Sequence, residues 1–287
     1  MAHLLPRELE SNLVSDMLTD VPTASKDLLL QRIKRDLRFH PFGIIYIDVD
    51  PDIAEVFIDQ LEVPLTEESI YISYEPDTPD LLVVGMDTPL LDAVQNWFTQ
   101  SFCDWELSKD ERANLVVGAS RTHYTFLKPY DICSKKPLQT LHIKRQKHPV
   151  LVVQTGWEEQ YLPLRTDMCV WFEGCIPTLR HAILVVYERK RSNGSVACKV
   201  ELFGRSPEIP RPYEIQSFTI TQDKLDDRVL EITLADLFAG VPDTPHDPSK
   251  KLKLSLALLQ ESTSSVLETM DPDEAIASSS KKRKHAS

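Results

Sequence analysis

The chain has no long run of apolar residues and no cysteine pair at metal-binding or redox spacing. No segment approaches the roughly 20 consecutive apolar residues of a membrane-spanning helix, so no membrane association is expected. Residues 1–10 contain three charged side chains and no apolar block, so no secretory signal is expected either. The five cysteines are an odd number and include no CxxC pair, which argues against a disulfide framework and a zinc site. A reducing location, nuclear or cytoplasmic, is therefore expected.

Positive charge is also scarce, because 32 Lys and Arg residues face 44 Asp and Glu residues, for a formal net charge of -12. A general nucleic-acid-binding protein is usually basic, so such a function here requires a local positive patch. One stretch provides it, since residues 132–157 contain neither Asp nor Glu. Its positive field is predicted to bind the phosphates of a nucleic acid or another polyanion, with a simple solvated loop as the alternative. The candidate phosphate-binding residues are Lys135, Lys136, Lys144, Arg145 and Lys147.

Apolar periodicity predicts the secondary structure of the middle of the chain. A helical stripe covers residues 89–102, and short strands are predicted at 114–118 and 123–127. The continuous apolar run 150–153 indicates a strand buried on both faces. An amphipathic helix then begins near Tyr161, followed by a buried strand over 182–187 and a hairpin partner over 196–203. The order from 88 to 187 is thus helix, three strands, helix, strand.

Composition predicts the organisation at both ends of the chain. Residues 1–25 are expected to be a flexible lead-in, and residues 26–260 a single α/β domain with its core at about 88–205. Within that domain, an N-terminal α+β extension is predicted from helical patterns at 28–37 and 53–61, a strand at 43–49 and a hairpin over 69–86. Strands are expected at 214–220, 229–233 and 252–259, and residues 261–287 are expected to be a disordered tail with a basic end.

Three motifs between residues 128 and 171 resemble a known family. They are Lys128-Pro129-Tyr130-Asp131, then Pro149-Val150-Leu151-Val152-Val153-Gln154-Thr155-Gly156, then Leu164, Asp167 and Trp171. Their order and spacing resemble a large fungal family of uncharacterised proteins with a PD-(D/E)XK restriction-endonuclease-like domain. The resemblance spans about residues 40–260 and implies an α/β (α+β) fold with an αβββαβ core.

The resemblance implies a metal site in which this chain departs from the pattern. Family members hold Mg²⁺ with two carboxylates, and the metal promotes attack on a phosphodiester. Asp131 occupies the Asp position and is the candidate metal ligand, whereas Gln154 occupies the Glu position and Gly156 stands where the simplest motif has Lys. This is therefore expected to be a degenerate, non-catalytic or weakly active module with no cofactor, binding nucleic acid or a protein partner. Asp167 is expected to face solvent or to pair with Arg165 or His181 rather than to take part in chemistry.

Two other functions remain open. The first is an active Mg²⁺-dependent nuclease in which a migrated residue replaces the missing carboxylate, in which case Mg²⁺ would be the cofactor. The second is a protein-interaction scaffold that uses the fold without its chemistry. A carboxylate converging on Asp131 would favour the first, and an acidic or apolar surface there would favour the second.

The basic run Lys281, Lys282, Arg283 and Lys284 predicts nuclear import. A fluorescent fusion of the full chain is expected to accumulate in the nucleus, because import receptors read short basic runs in accessible segments. Changing all four residues to Ala should make the fluorescence diffuse, as measured by microscopy. An unchanged distribution would show that this run is not the targeting signal.

Overall fold

The computed structural model describes residues 18–20, 44–47, 69–75, 80–86, 88–119, 126–131, 133–189, 195–205, 211–222, 225–239 and 246–269. The sequence predicts one domain over residues 26–260, and the structure divides the chain into two compact units. Unit 1 comprises Met1–Met86 and Ile132–Lys136, and unit 2 comprises Asp87–Asp131 and Pro137–Ser287. The predicted core of residues 88–205 thus falls in unit 2 except for the short segment at 132–136.

In chain order, the strands and helices are β1 (Leu18–Asp20), β2 (Ile44–Ile47), β3 (Ser69–Glu75), β4 (Asp80–Met86), α1 (Thr88–Asp104), α2 (Lys109–Asn114), β5 (Leu115–Ala119), β6 (Ser134–Lys135), β7 (Gln139–Ile143), β8 (Leu151–Trp157), α3 (Tyr161–Gly174), β9 (His181–Arg189), β10 (Val196–Arg205), β11 (Pro212–Ile220), β12 (Val229–Thr233), α4 (Leu234–Leu237), β13 (Lys251–Ser255) and α5 (Leu256–Thr269). A 3₁₀ turn at Glu158–Gln160 joins β8 to α3.

Unit 1 contains a five-stranded sheet in the order β1-β2-β4-β3-β6. Strands β3 and β4 pair in antiparallel fashion from Ser69↔Met86 to Glu75↔Asp80, which confirms the predicted hairpin. Strand β2 confirms the predicted strand at Ile44–Ile47. The predicted lead-in and the helical patterns at 28–37 and 53–61 lie outside the described residues apart from β1.

Unit 2 is built on a six-stranded sheet in the order β11-β10-β9-β8-β7-β5. Only β8 and β9 pair in parallel, and the other neighbours in this sheet are antiparallel. All seven residues of β8 are buried, as are the first seven of β9, which agrees with their continuous apolar sequences. The mixed sheet with its helices confirms the predicted α+β class.

Helices cover both faces of this sheet. Because side chains alternate along a strand, Gln154 and Gly156 point to the face opposite that of Val153. Helix α3 lies on the Gln154 face, since Gly156 is in close contact with Gln160 and Leu164. Gln139, which pairs with Val153, instead donates through Nε2 to Thr99 Oγ1 of α1 at 3.2 Å.

Helix α5 shares the face that α1 covers, together with the β12–β13 hairpin. The hydroxyls of Tyr187 on β9 and Thr263 on α5 are 3.2 Å apart. The indole N–H of Trp97, in α1, donates to the Ser255 carbonyl of β13 at 2.7 Å. The indole N–H of Trp105, just after α1, donates to the Lys253 carbonyl of the same strand at 3.0 Å. The sheet is therefore enclosed between two helical layers, which places any polar side chain in the middle of β8 inside the protein.

One predicted element is wrong and one was missed. Of the predicted strand at 123–127, only Phe126 and Leu127 are described, and neither belongs to a strand. Strand β7, Gln139–Ile143, was not predicted. The predicted strand over 252–259 ends at Ser255, where α5 begins and continues to Thr269. The tail boundary predicted at residue 261 is therefore too early. Among the described helices, none combines the length and apolar character needed to cross a membrane.

Candidate functional site

Gln154, which the resemblance predicts at the second carboxylate position, is the central residue of β8. It is only 2% exposed, and neither its amide oxygen nor its amide nitrogen has a hydrogen-bond partner. Its register partner on β9 is Leu184. On the other side, Gln139 pairs with Val153, so Leu138 lies level with Gln154. The residues level with Gln154 are therefore Leu184 on β9 and Leu138, which immediately precedes β7, and leucine side chains cannot bind a metal ion.

Asp131, the candidate metal ligand, lies in an exposed turn formed by residues 127–131. The Leu127 amide donates to the Gly174 carbonyl at 2.7 Å, and the Tyr130 hydroxyl donates to Glu173 Oε2 at 2.5 Å. These bonds attach the turn to the C-terminal end of α3, rather than to a strand that neighbours β8. Gln154 does not hydrogen bond to Asp131, since both of its amide atoms are unpartnered.

The described part of the chain contains no group of three or more His, Cys, Asp or Glu side chains that could hold a metal ion. Asp131 and Gln154 supply between them one carboxylate and one neutral amide oxygen. A hard cation such as Mg²⁺ prefers charged oxygen ligands, so this pair is a poor donor set. The residues present therefore do not fit a two-carboxylate magnesium site.

Asp167 differs from one of the two alternatives predicted for it. It is only 2% exposed, on the sheet side of α3, so it does not face solvent. Burial raises the pKa of its carboxyl well above the ordinary value, because an ionised carboxylate loses its hydration there. Leu164 and Trp171, the other residues of the third motif, are buried with it. This motif therefore serves the packing of α3 on the sheet.

A second buried carboxylate, Glu201 on β10, was not anticipated from the sequence. It is level with Leu184, so it lies on the same face of the sheet as Gln154 but one strand further away. Its Oε1 accepts hydrogen bonds from Lys199 Nζ at 2.6 Å and from the Tyr161 hydroxyl at 3.0 Å. Two charged residues in the middle of a largely apolar strand, Lys199 and Glu201, are the sequence signal that could have revealed this pair.

The charge of Glu201 is matched locally. Burial acts to lower the pKa of Lys199, but the hydrogen bond and charge of Glu201 outweigh it and raise that pKa overall. Arg165 donates to the Tyr161 hydroxyl at 3.1 Å and lies over the Phe203 ring at 4.6 Å from its centroid. Glu201 is therefore engaged in a side-chain network and separated from Gln154 by Leu184.

The structure keeps three of the five predicted phosphate-binding residues together. Lys144, Arg145 and Lys147 are exposed in the connection between β7 and β8, which we call the basic hairpin (residues 144–147). None of the three forms an ion pair with a described carboxylate. Arg145 has φ 72°, a left-handed conformation that is unfavourable for any residue with a Cβ atom.

The other two predicted phosphate-binding residues belong to unit 1. Lys135 is completely buried and Lys136 is partly buried. Lys135 therefore does not present its ammonium group to a ligand in solution. The basic run at 281–284 lies outside the described residues, so its role in nuclear import stays a prediction.

Replacing Asp167 with Asn should stabilise the protein at alkaline pH. Because the folded-state pKa of Asp167 is raised, its stabilising effect is present at low pH and is lost as the pH rises through that pKa. Urea unfolding of Asp167→Asn should give a higher free energy of unfolding than wild type at pH 8, and a smaller difference at pH 5. The matched control is Asp92→Asn, an exposed aspartate on helix α1 that should show no such difference. Parallel pH profiles for wild type and Asp167→Asn would contradict the burial argument.

No protein-family model, curated protein or solved structure matches this chain. The resemblance drawn from the three motifs therefore has no independent match behind it. Any function rests on the geometry of the described residues.

Proposed function

We propose that unit 2 is a non-catalytic restriction-endonuclease-like module that binds the phosphate backbone of nucleic acid through the basic hairpin. The order of α1, β5, β7, β8, α3 and β9 supports the fold assignment, because it is the αβββαβ order that the resemblance implies once the short helix α2 and strand β6, which belongs to unit 1, are set aside. The observation that carries the binding function is the exposure of Lys144, Arg145 and Lys147 without carboxylate partners among the described residues.

The environment of Gln154 supports the absence of cleavage. A phosphodiester-cutting metal needs negative ligands that converge on one point, with room for water and substrate. Gln154 is instead enclosed beneath α3, with Leu184 and Leu138 level with it on the neighbouring strands. A metal ion at this place would lose its hydration without gaining charged ligands in exchange.

The surroundings of the basic hairpin support an anionic partner. Burial is the main cause that lowers the pKa values of His142 and His148, so both rings are mainly neutral at neutral pH. The positive field of this region therefore comes from Lys144, Arg145 and Lys147, in a chain whose formal net charge is -12. Nucleic-acid phosphates are attracted to such a field, whereas free metal cations are repelled.

The conformation of Arg145 also supports a functional hairpin. A left-handed backbone conformation is available to Gly at much lower cost than to Arg, where strain is of the order of 1 kcal/mol. Keeping Arg at such a position is consistent with selection for its guanidinium group rather than for stability.

The second candidate is a magnesium nuclease, favoured by a buried carboxylate that shares the Gln154 face, Glu201. It requires Glu201 to leave Lys199 and Tyr161 and to act across Leu184. Wild-type cleavage that depends on Mg²⁺ and disappears in Glu201→Gln would establish this function instead.

The purified protein should not cleave DNA or RNA in the presence of Mg²⁺ or Mn²⁺. Gln154→Glu should lower the free energy of unfolding by about 3 kcal/mol or more, because it buries an unpaired charge. Gln154→Leu, the matched variant of similar size, should be neutral or stabilising, since it removes two unpartnered polar atoms. Thermal unfolding measures both effects. If Mg²⁺ raised the Tm of Gln154→Glu but not that of Gln154→Leu, residue 154 would be a former metal position, and the argument that burial excludes a metal there would fail. Mg²⁺-dependent cleavage by the wild-type protein would overturn the non-catalytic proposal itself.

Arg145→Gly should separate binding from stability. Glycine relieves the strain at φ 72°, so the Tm should stay equal or rise, while removal of the guanidinium should weaken binding to a labelled DNA strand roughly threefold.

The triple variant Lys144→Ala, Arg145→Gly, Lys147→Ala should also change how binding depends on salt. The slope of the logarithm of the binding constant against the logarithm of the salt concentration should be smaller by about 2, because each lost contact with a single strand removes about 0.7. Lys253→Ala, which removes an exposed lysine from β13, is the control. Equal losses in this control and in the triple variant would show non-specific charge attraction.

A further inference from the structure

Three arginines lie at strand ends on the side of the sheet that carries the basic hairpin. Arg180 immediately precedes His181, which pairs with Gly204, and Arg205 immediately follows Gly204. These two arginines are therefore level with each other on β9 and β10. Arg205 pairs in turn with Pro212, and Arg211 immediately precedes that proline. The three side chains thus start from three adjacent strand ends.

The basic hairpin lies at this same end. His181 pairs with Leu151, the first residue of β8, and the hairpin immediately precedes β8. The amide of Arg180 donates to the Val150 carbonyl at 2.9 Å, which joins the segment after the hairpin to the start of β9. From β7 to β11 the sheet has four strand spacings, so this end is about 19 Å wide.

The arginine charges are held in place but not neutralised by ion pairs. Arg180 donates through Nη2 to the Ala239 carbonyl at 2.7 Å. Arg205 donates to the Phe172 and Leu179 carbonyls. Burial and the nearby charge of Arg180 lower the pKa of Arg205, and the charge of Glu173 offsets part of this effect. The two guanidinium groups therefore repel each other. A bound anion would relieve this repulsion.

Some acidic groups share this end of the sheet. Asp236 Oδ2 is 4.0 Å from His181 Nε2, and Glu173 accepts a hydrogen bond from the Tyr130 hydroxyl. Neither carboxylate forms an ion pair with Arg180 or Arg205 within the described residues. Arg211 is exposed, and the exposed Tyr213 follows it two residues later on β11.

We infer that the hairpin and the three arginines form one basic edge that binds the backbone of a single-stranded nucleic acid. Its members are Lys144, Arg145, Lys147, Arg180, Arg205 and Arg211. This inference rests on the proposed binding function and extends its surface from one hairpin to the ends of five neighbouring strands, β7 to β11. Single-strand binding combines a line of positive charge with an aromatic ring on which a base stacks, and Tyr213 supplies that ring beside Arg211.

The test compares two variants outside the hairpin with the hairpin triple variant. Arg211→Gln and Tyr213→Ser alter exposed side chains, so both proteins should fold, as checked by circular dichroism. Anisotropy of a labelled oligothymidylate should show roughly threefold weaker binding for Arg211→Gln, with a salt slope smaller by about 0.7. Tyr213→Ser should also weaken binding, but with an unchanged salt slope, because stacking releases no counterions. Lys253→Gln should bind like wild type.

The outcomes separate this inference from the proposed function. If the hairpin triple variant loses affinity while Arg211→Gln and Tyr213→Ser bind like wild type, only the hairpin contacts the nucleic acid and the extended edge is refuted. Tighter binding of a duplex than of the single strand would likewise refute the single-stranded partner. If the wild-type protein binds neither form, the proposed function itself fails.

Discussion

The parallel pairing of β8 with β9 is the constraint on which the rest of unit 2 depends. Two adjacent parallel strands must be joined by a crossover, and here α3 makes that connection over one face of the sheet. The opposite face is covered by α1 and α5. Trp97 of α1 hydrogen bonds to β13, and Thr263 of α5 hydrogen bonds to Tyr187 of β9. Because both faces are covered, every residue of β8 is buried, including its polar ones.

This enclosure determines the character of the motif residues. Gln154 and Asp167 are buried by the packing of β8 and α3. Both side chains therefore lose hydration, which costs folding free energy, and neither is accessible to a substrate. Glu201 lies on the same face, but its Oε1 accepts hydrogen bonds from Lys199 and Tyr161. The sheet interior therefore contains polar groups without a metal-binding arrangement in the described residues, while the exposed positive charges are at the strand ends.

Much of the secondary structure could be predicted because it depends on local apolar periodicity. Helices α1 and α3 and strands β8, β9 and β10 follow patterns that are visible over a few turns or alternations. Strand β7 was missed because its five residues include three polar ones and lie within a basic stretch that suggests a loop. Helix α5 was missed because its first residues continue the apolar sequence of β13, and only packing against α1 and β9 distinguishes the two elements. Similarly, no local pattern distinguishes a buried Asp167 from an exposed one.

By itself, the sequence determined the acidic total of the chain, the stretch 132–157 without acidic residues, and the apolar strands that build the sheet. The tertiary structure decided which charges act together. It assigns Lys135 and Lys136 to unit 1, and it brings Arg180, Arg205 and Arg211 to the sheet end that carries the basic hairpin. Composition depends only on which residues are present, whereas strand register depends on pairing between segments that are far apart in the chain.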